Sequence, residues 1–253
     1  MGAGCCGRAA GFDVIPRYSV PWDLVFGLTS YIRAGRVRSV DEFTAAVVSR
    51  IQPEPRVEGV SNLPAAPRFL LVANHYQRKG LWILHSAAAL TQAILRHYGA
   101  DMPPARPPVR WLVTANWPPI RIGSWKLPSP GDWLLPRVAH ALWCYPVSFA
   151  GSNPAFTARS IRTILRDAKT ATRPIGLFPE GVAGGAGTLQ APLPGVERLI
   201  AQLARLGVPA VPVGISEAGG RFLIRFGAVI AAEQLSVSAN AAELCMARVA
   251  ELL

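Results

Sequence analysis

The sequence predicts an α/β fold with a mixed, largely parallel sheet that is flanked by helices and preceded by an N-terminal helical segment. Short, continuous apolar runs such as Arg68–Ala73, Ile175–Phe178 and Pro209–Ile215 are typical of buried strands. Longer stretches at helical spacing separate these runs, and this alternation favours parallel strands joined by crossover helices. In such a sheet, we expect functional side chains beyond the carboxyl ends of the strands.

Length and composition favour one main domain. The chain has 253 residues and a hydrophobic fraction of 51%, which allows a sizeable core. We expect residues 1–66 to form a helical and extended N-terminal segment, and residues 67–253 to form the α/β domain. Ser39 followed by Glu42 predicts a capped helix that runs to Ile51, and the proline-rich stretch Pro53–Pro67 predicts an extended arm.

The rest of the domain follows the same alternation of strands and helices. The further predicted elements are helices at residues 80–98, 134–142, 153–171, 194–206 and 239–253, and strands at 109–114, 144–148 and 222–226.

The charge balance indicates an anionic partner. The sequence has 26 Lys and Arg against 15 Asp and Glu, a formal net charge of +11. Such a surface attracts anionic lipid headgroups, phosphorylated substrates or nucleic acid, although the base composition of a genome can also raise the arginine content. Nucleic-acid binding rests on net charge alone, so we do not expect it.

Two further features bear on the compartment. No uninterrupted apolar stretch reaches 18 residues, so we expect no membrane-spanning helix. The spacing of the four cysteines fits neither a zinc site nor a disulfide framework, which favours a reducing cytoplasmic compartment.

Five of the seven tryptophans lie between Trp111 and Trp143 among basic residues, a pattern that fits either a membrane interface or the core.

Two short motifs lie at predicted strand ends. His75 follows Asn74 directly after the apolar run that ends at Ala73, whereas His85 and the other histidines are expected to be structural. Imidazole is the side chain best suited to take a proton from a hydroxyl near neutral pH. The second motif places Glu180 within a tight turn after another apolar run.

The ordered set of motifs resembles the 1-acylglycerol-3-phosphate acyltransferase family, within the glycerol-3-phosphate acyltransferase-like fold. The set comprises Asn74–His75 after a strand, then Phe178-Pro179-Glu180-Gly181 about 100 residues later, then the strand that begins near Val208. The final strand, Arg225–Ile230, is also similar, and the resemblance covers roughly residues 68–232.

The resemblance implies transfer of a fatty acyl group from acyl-CoA or acyl carrier protein to a hydroxyl of a glycerolipid or a related lipid. His75 would be the general base, and Glu180 the second catalytic residue. Asn74, Phe178, Pro179 and Gly181 would help to form the acceptor site. No metal or other cofactor is required. The implied setting is cytoplasmic, with peripheral attachment to an anionic membrane at its inner face.

Several positions depart from the family pattern. Gly80 stands where the family has an aspartate that orients the histidine, and Asp132 and Glu180 are candidates to replace it. The family's phosphate-binding arginine after the middle strand is absent. The cations best placed for an anionic acceptor are therefore Arg78 and Lys79, beside His75. These losses favour an unphosphorylated or differently charged acceptor.

Other classes of protein stay open or are disfavoured. A catalytically silent member of the same fold, which only binds lipid or a partner, is the main alternative, and Gly80 motivates it. The glycine-rich run Gly181–Thr188 fits neither a P-loop nor a dinucleotide fingerprint. Gly214–Ala218 misses the hydrolase nucleophile elbow because its last residue is alanine.

Overall fold

The computed structural model describes residues 15–19, 21–99, 108–115, 120–122, 125–127, 131–148, 154–181 and 188–253. The predicted helix start at Asn153 and most of the glycine-rich run lie outside these residues.

The described part of the chain contains eleven strands and eight α-helices. The strands are β1 Arg17–Tyr18, β2 Ile51–Gln52, β3 Arg56–Glu58, β4 Leu70–Ala73, β5 Arg110–Thr114, β6 Ile120–Ile122, β7 Trp125–Leu127, β8 Tyr145–Val147, β9 Ile175–Leu177, β10 Ala210–Ala218 and β11 Arg221–Phe226. The helices are α1 Trp22–Ala34, α2 Val40–Val48, α3 Ile83–Tyr98, α4 Gly131–Ala141, α5 Pro154–Lys169, α6 Val196–Arg205, α7 Ala232–Val237 and α8 Ala241–Ala250.

The main sheet has seven strands in the order β3-β11-β10-β4-β9-β5-β8. Its pairs are parallel except for the hairpin β10–β11. The predicted α/β class with a mixed, largely parallel sheet is therefore confirmed. β3 lies within residues 1–66 but pairs with β11, so the main sheet takes in part of the N-terminal segment. The division of the chain at residue 66 stays a prediction.

Helices cover both faces of the sheet. In β4 the side chains alternate: Leu70 and Val72 pack in one apolar cluster with α5, α6 and α8, and Leu71 and Ala73 pack in another with α3. All four residues are buried, as expected for a central strand covered on both faces. A smaller cluster joins α1 and α2 to α3. No helix within the described residues is both long and apolar enough to cross a membrane.

The start of α3 differs from the prediction for a local reason. Helical spacing predicted a start at Gly80, but α3 begins at Ile83. Arg78 and Leu81 form an isolated antiparallel bridge, and between them Gly80 adopts a φ of +86°. A left-handed residue cannot continue a right-handed helix, so the helix begins after the turn.

Gly176 in β9 makes room for Trp111 in β5, its partner across the sheet. A Cβ at Gly176 would lie 2.2 Å from the Trp111 ring. We therefore expect Gly176→Ala to lower the free energy of unfolding by about 3 kcal/mol, the upper range for overpacking a core, in a denaturant titration. Gly27→Ala in α1 is the control, since its nearest neighbour would be 3.5 Å away. Equal stability of the two variants would contradict this account.

Candidate active site

The two motifs meet at one edge of the sheet because their strands are neighbours. β4 pairs with β9 on one side and with β10 on the other, all in parallel. His75 follows β4 and Phe178 follows β9, so both turns leave the sheet at its carboxyl edge. The structure thus brings together His75 and Glu180, which are 105 residues apart in sequence.

Glu180 binds the backbone of two loops. Its side chain is almost fully buried, with 1% of its surface exposed. One carboxylate oxygen accepts a hydrogen bond from the His75 backbone N–H at 2.7 Å, and the other accepts one from the Gln190 backbone N–H at 2.7 Å. Both oxygens are therefore occupied by main-chain donors, and neither bonds to the His75 ring. Glu180 fixes the position of the loop that carries the histidine.

The turn that carries Glu180 depends on glycine. The backbone N–H of Gly181 donates to the Phe178 carbonyl at 3.1 Å and closes the turn. Gly181 has a φ of +62°, and a Cβ there would lie 2.0 Å from a methyl carbon of Leu193. The carbonyl of Pro179 accepts a further hydrogen bond from the backbone N–H of Leu193 at 2.8 Å. The turn therefore holds Glu180 in one orientation.

Asn74 binds the loop that carries His75 to β10. Its side-chain amide donates to the Ile215 carbonyl at 2.9 Å and accepts from the Ile215 backbone N–H at 2.7 Å. Asn74 is buried, with 4% of its surface exposed. Although Asn74 lines the cavity beside His75, its amide group is already engaged with β10.

The His75 ring packs on an aromatic pair. It meets Phe178 edge to face with 5.7 Å between ring centroids, and Phe178 stacks on Trp111 at 4.9 Å. The indole N–H of Trp111 donates to the hydroxyl of Thr91 in α3 at 3.0 Å. This chain of contacts holds the imidazole by packing.

The ring nitrogen Nδ1 of His75 is buried and has no hydrogen-bond partner among the described residues. Gly80, at the position of the expected aspartate, is exposed and has no side chain to offer. Glu180 does not replace that acid at Nδ1, because its carboxylate binds the backbone N–H groups of His75 and Gln190 and makes no hydrogen bond to Nδ1. The side chain of Asp132 lies outside what the structure describes.

Burial lowers the pKa of His75 below its ordinary value of 6.5, and the ring's backbone contacts and the charge of Glu180 oppose this only in part. The neutral imidazole, which is the form that accepts a proton, therefore predominates at pH 7.

We expect NMR titration of the His75 ring in the folded protein to give a pKa below 6.5. The unfolded chain then binds the proton more readily, so the free energy of unfolding should fall as the pH drops below about 6.5 and recover as it rises. His75→Gln should flatten that part of the stability profile. A ring that titrates above 6.5 would contradict the assignment.

Arg78 forms an ion pair at the rim of the site. Its guanidinium contacts the carboxylate of Glu217, donates to the Pro16 carbonyl at 3.1 Å, and lies 5.5 Å from the centre of the Tyr18 ring. The hydroxyl of Tyr18 donates to the other oxygen of Glu217. Burial, followed by this hydrogen bond, raises the pKa of Tyr18. Lys79, in contrast, is exposed.

A cavity of about 230 Å³ opens beside the histidine. Its lining includes His75, Tyr76, Glu180, Ser216 and Glu217. This volume is below the roughly 300–1,000 Å³ of typical small-molecule pockets, so the cavity fits a small polar group rather than a whole lipid. Tyr18 and Glu217 were not among the predicted site residues, because their contacts join distant parts of the chain.

The chain is an α/β protein in which a histidine follows a central strand, and a carboxylate that follows the neighbouring strand binds the backbone of that histidine. Sheets of this kind carry their functional side chains at the carboxyl edge. Its fold is similar to that of the 1-acyl-sn-glycerophosphate (LPA) acyltransferase PlsC from Thermotoga maritima. The two chains are 15% identical, with a TM-score of 0.55 over 90% of each chain. No protein-family model and no curated protein sequence matches this chain. The likeness shows the fold.

Proposed function

We propose that this protein transfers a fatty acyl group from an acyl thioester, acyl-CoA or acyl carrier protein, to a hydroxyl of a glycerolipid or related lipid. The observation that carries the proposal is the position of His75, which lies at a strand end on a small cavity with its backbone bound by Glu180. The fold likeness to an LPA acyltransferase supports the same reaction class.

The neutral ring of His75 accepts the proton of the acceptor hydroxyl as that oxygen attacks the thioester carbonyl. An ester C–O bond forms, the C–S bond breaks, and the proton leaves with the thiol. Glu180 contributes by fixing the loop, and the contact with Phe178 holds the ring. The reaction needs neither a metal nor a covalent enzyme intermediate.

Peripheral attachment to an anionic membrane, on the cytoplasmic side, completes the proposal. Trp22 and Phe26 in α1 stack at 6.0 Å, and Trp22 meets Trp82 edge to face at 5.2 Å. All three are exposed, and we call them the aromatic patch. Trp82 precedes α3, only seven residues after His75. Indole rings settle among lipid headgroups, and the net charge of +11 favours anionic ones.

The five clustered tryptophans do not share one environment. Trp111 is buried at 6% exposure, whereas Trp133 is 60% exposed. Trp111 is therefore a core residue, whereas Trp133 is free to contact a membrane surface under this proposal. Trp117 and the side chain of Trp125 lie outside what the structure describes.

The direct test is incubation of the purified protein with labelled acyl-CoA or acyl carrier protein and a panel of glycerolipid hydroxyl acceptors in mixed micelles. We expect labelled ester in the lipid extract, and its absence from the His75→Ala variant. Equal turnover by both proteins would overturn the proposal.

The catalytically silent alternative has one observation in its favour, the unpartnered Nδ1 of His75. It predicts lipid binding without ester formation. Sedimentation with vesicles of phosphatidylglycerol and phosphatidylcholine, run beside the transfer assay, separates the two functions. Binding without turnover for every donor and acceptor would favour the silent protein.

A further inference from the structure

The charges on the cavity wall bear on which acceptor this site takes, and the inference rests on the proposed function. The described residues that line the cavity include two carboxylates, Glu180 and Glu217, but neither lysine nor arginine. The wall is therefore acidic around His75.

Arg78 is adjacent to this cavity but already engaged. Its guanidinium is held by the carboxylate of Glu217 and by the carbonyl of Pro16. Its side chain is 29% exposed and that of Glu217 only 13%, so solvent screens the pair incompletely. An acceptor phosphate could recruit Arg78 only by leaving the charge of Glu217 unpaired, which is costly at a largely buried site.

We infer that the acceptor is a lipid alcohol that is uncharged next to its reacting hydroxyl, and that Glu217 disfavours acceptors with a phosphate there. A phosphate monoester carries about −1.5 to −2 charges at pH 7. Placing it beside two carboxylates, with no free cation among the described lining residues, adds like-charge repulsion. Glu217 thus acts on specificity, and the base remains His75.

The test uses two acceptors that differ only in the phosphate, 1-oleoylglycerol and 1-oleoylglycerol 3-phosphate, with one acyl donor. We expect kcat/KM for the uncharged acceptor to exceed that for the phosphorylated one by about tenfold or more, as like-charge repulsion of this kind predicts. Glu217→Gln frees Arg78 and removes one negative charge, so the ratio should fall by about tenfold. A wild-type preference for the phosphorylated acceptor would overturn the inference.

Two variants sharpen the result. Glu233→Gln removes the same charge at an exposed position on α7 and should leave the ratio unchanged. Arg78→Gln removes the cation that balances Glu217, so the ratio should widen, and this variant serves if Glu217→Gln does not fold. A ratio that moves in neither variant contradicts the role of Glu217.

Equilibrium binding of the two acceptors in mixed micelles separates this inference from the proposed function. If no acceptor is acylated, the proposed function fails, yet tighter binding of 1-oleoylglycerol would still support the acceptor class. Equal or tighter binding of the phosphorylated lipid would contradict it.

Discussion

Replacing His75 by alanine is expected to lower acyl transfer by about a thousandfold, within the usual range for loss of a general base. The fold should survive the change. The interaction that holds this loop runs from the His75 backbone N–H to Glu180, and alanine keeps that donor. The substitution also removes the edge contact between the ring and Phe178, on a residue that is partly exposed. The measurement is kcat/KM for wild type and variant, with a thermal unfolding curve for each.

The matched control is His97→Ala, since His97 is exposed at the far end of α3, 22 residues along the chain from His75. It should keep wild-type turnover. If His75→Ala retains more than about a tenth of wild-type activity while folded, His75 is not the general base.

Glu180→Ala is expected to destabilise the protein by about 2–4 kcal/mol and to reduce activity with it. The substitution leaves the backbone N–H groups of His75 and Gln190 without their acceptor in a buried setting, and each orphaned donor costs about 1–3 kcal/mol. Relief from burying a carboxylate offsets part of that cost. Guanidinium titration measures the loss, and hydrogen exchange at those two amides should speed up.

Glu54→Ala removes a carboxylate from an exposed ion pair with Arg96 and should change stability by no more than about 0.5 kcal/mol. Glu180→Gln keeps the shape but offers one carbonyl acceptor for two donors, so its loss should lie between the two. A Glu180→Ala variant as stable as Glu54→Ala would show that the two hydrogen bonds do not hold the loops.

The sequence was sufficient for six of the seven strands of the main sheet, all but β3, and for which motifs meet. Apolar runs at β4, β9 and β10 identify buried parallel strands, and the carboxyl-edge rule then places His75 near Glu180. The local sequence pattern is enough for these features, because a buried strand has several consecutive apolar side chains. Helix α1 was not predicted from the sequence, because Trp22 and Phe26 expose apolar side chains to solvent where helical periodicity predicts polar ones.

The sequence did not predict which side chains from distant parts of the chain contact one another. Arg78 lies 139 residues from Glu217, and the sequence predicted only that Arg78 is well placed for an anionic acceptor. The main-chain partners of the Glu180 oxygens were likewise not foreseen, and its catalytic role stays a prediction. Both contacts depend on where loops from different strands come to rest, which no local spacing records.

The strand order also governs how this chain can fold. Among the described residues, β4 near residue 70 gains one of its two neighbours from β10 at Ala210–Ala218, and β3 has β11 as its sole partner strand. Pairings of such long sequence separation are slow to form, since closing the long loop costs entropy before any contact compensates. During synthesis, β4, β5, β8 and β9 emerge well before the hairpin that divides them from β3. We therefore expect slow refolding and a nascent chain whose open sheet edge needs protection from aggregation.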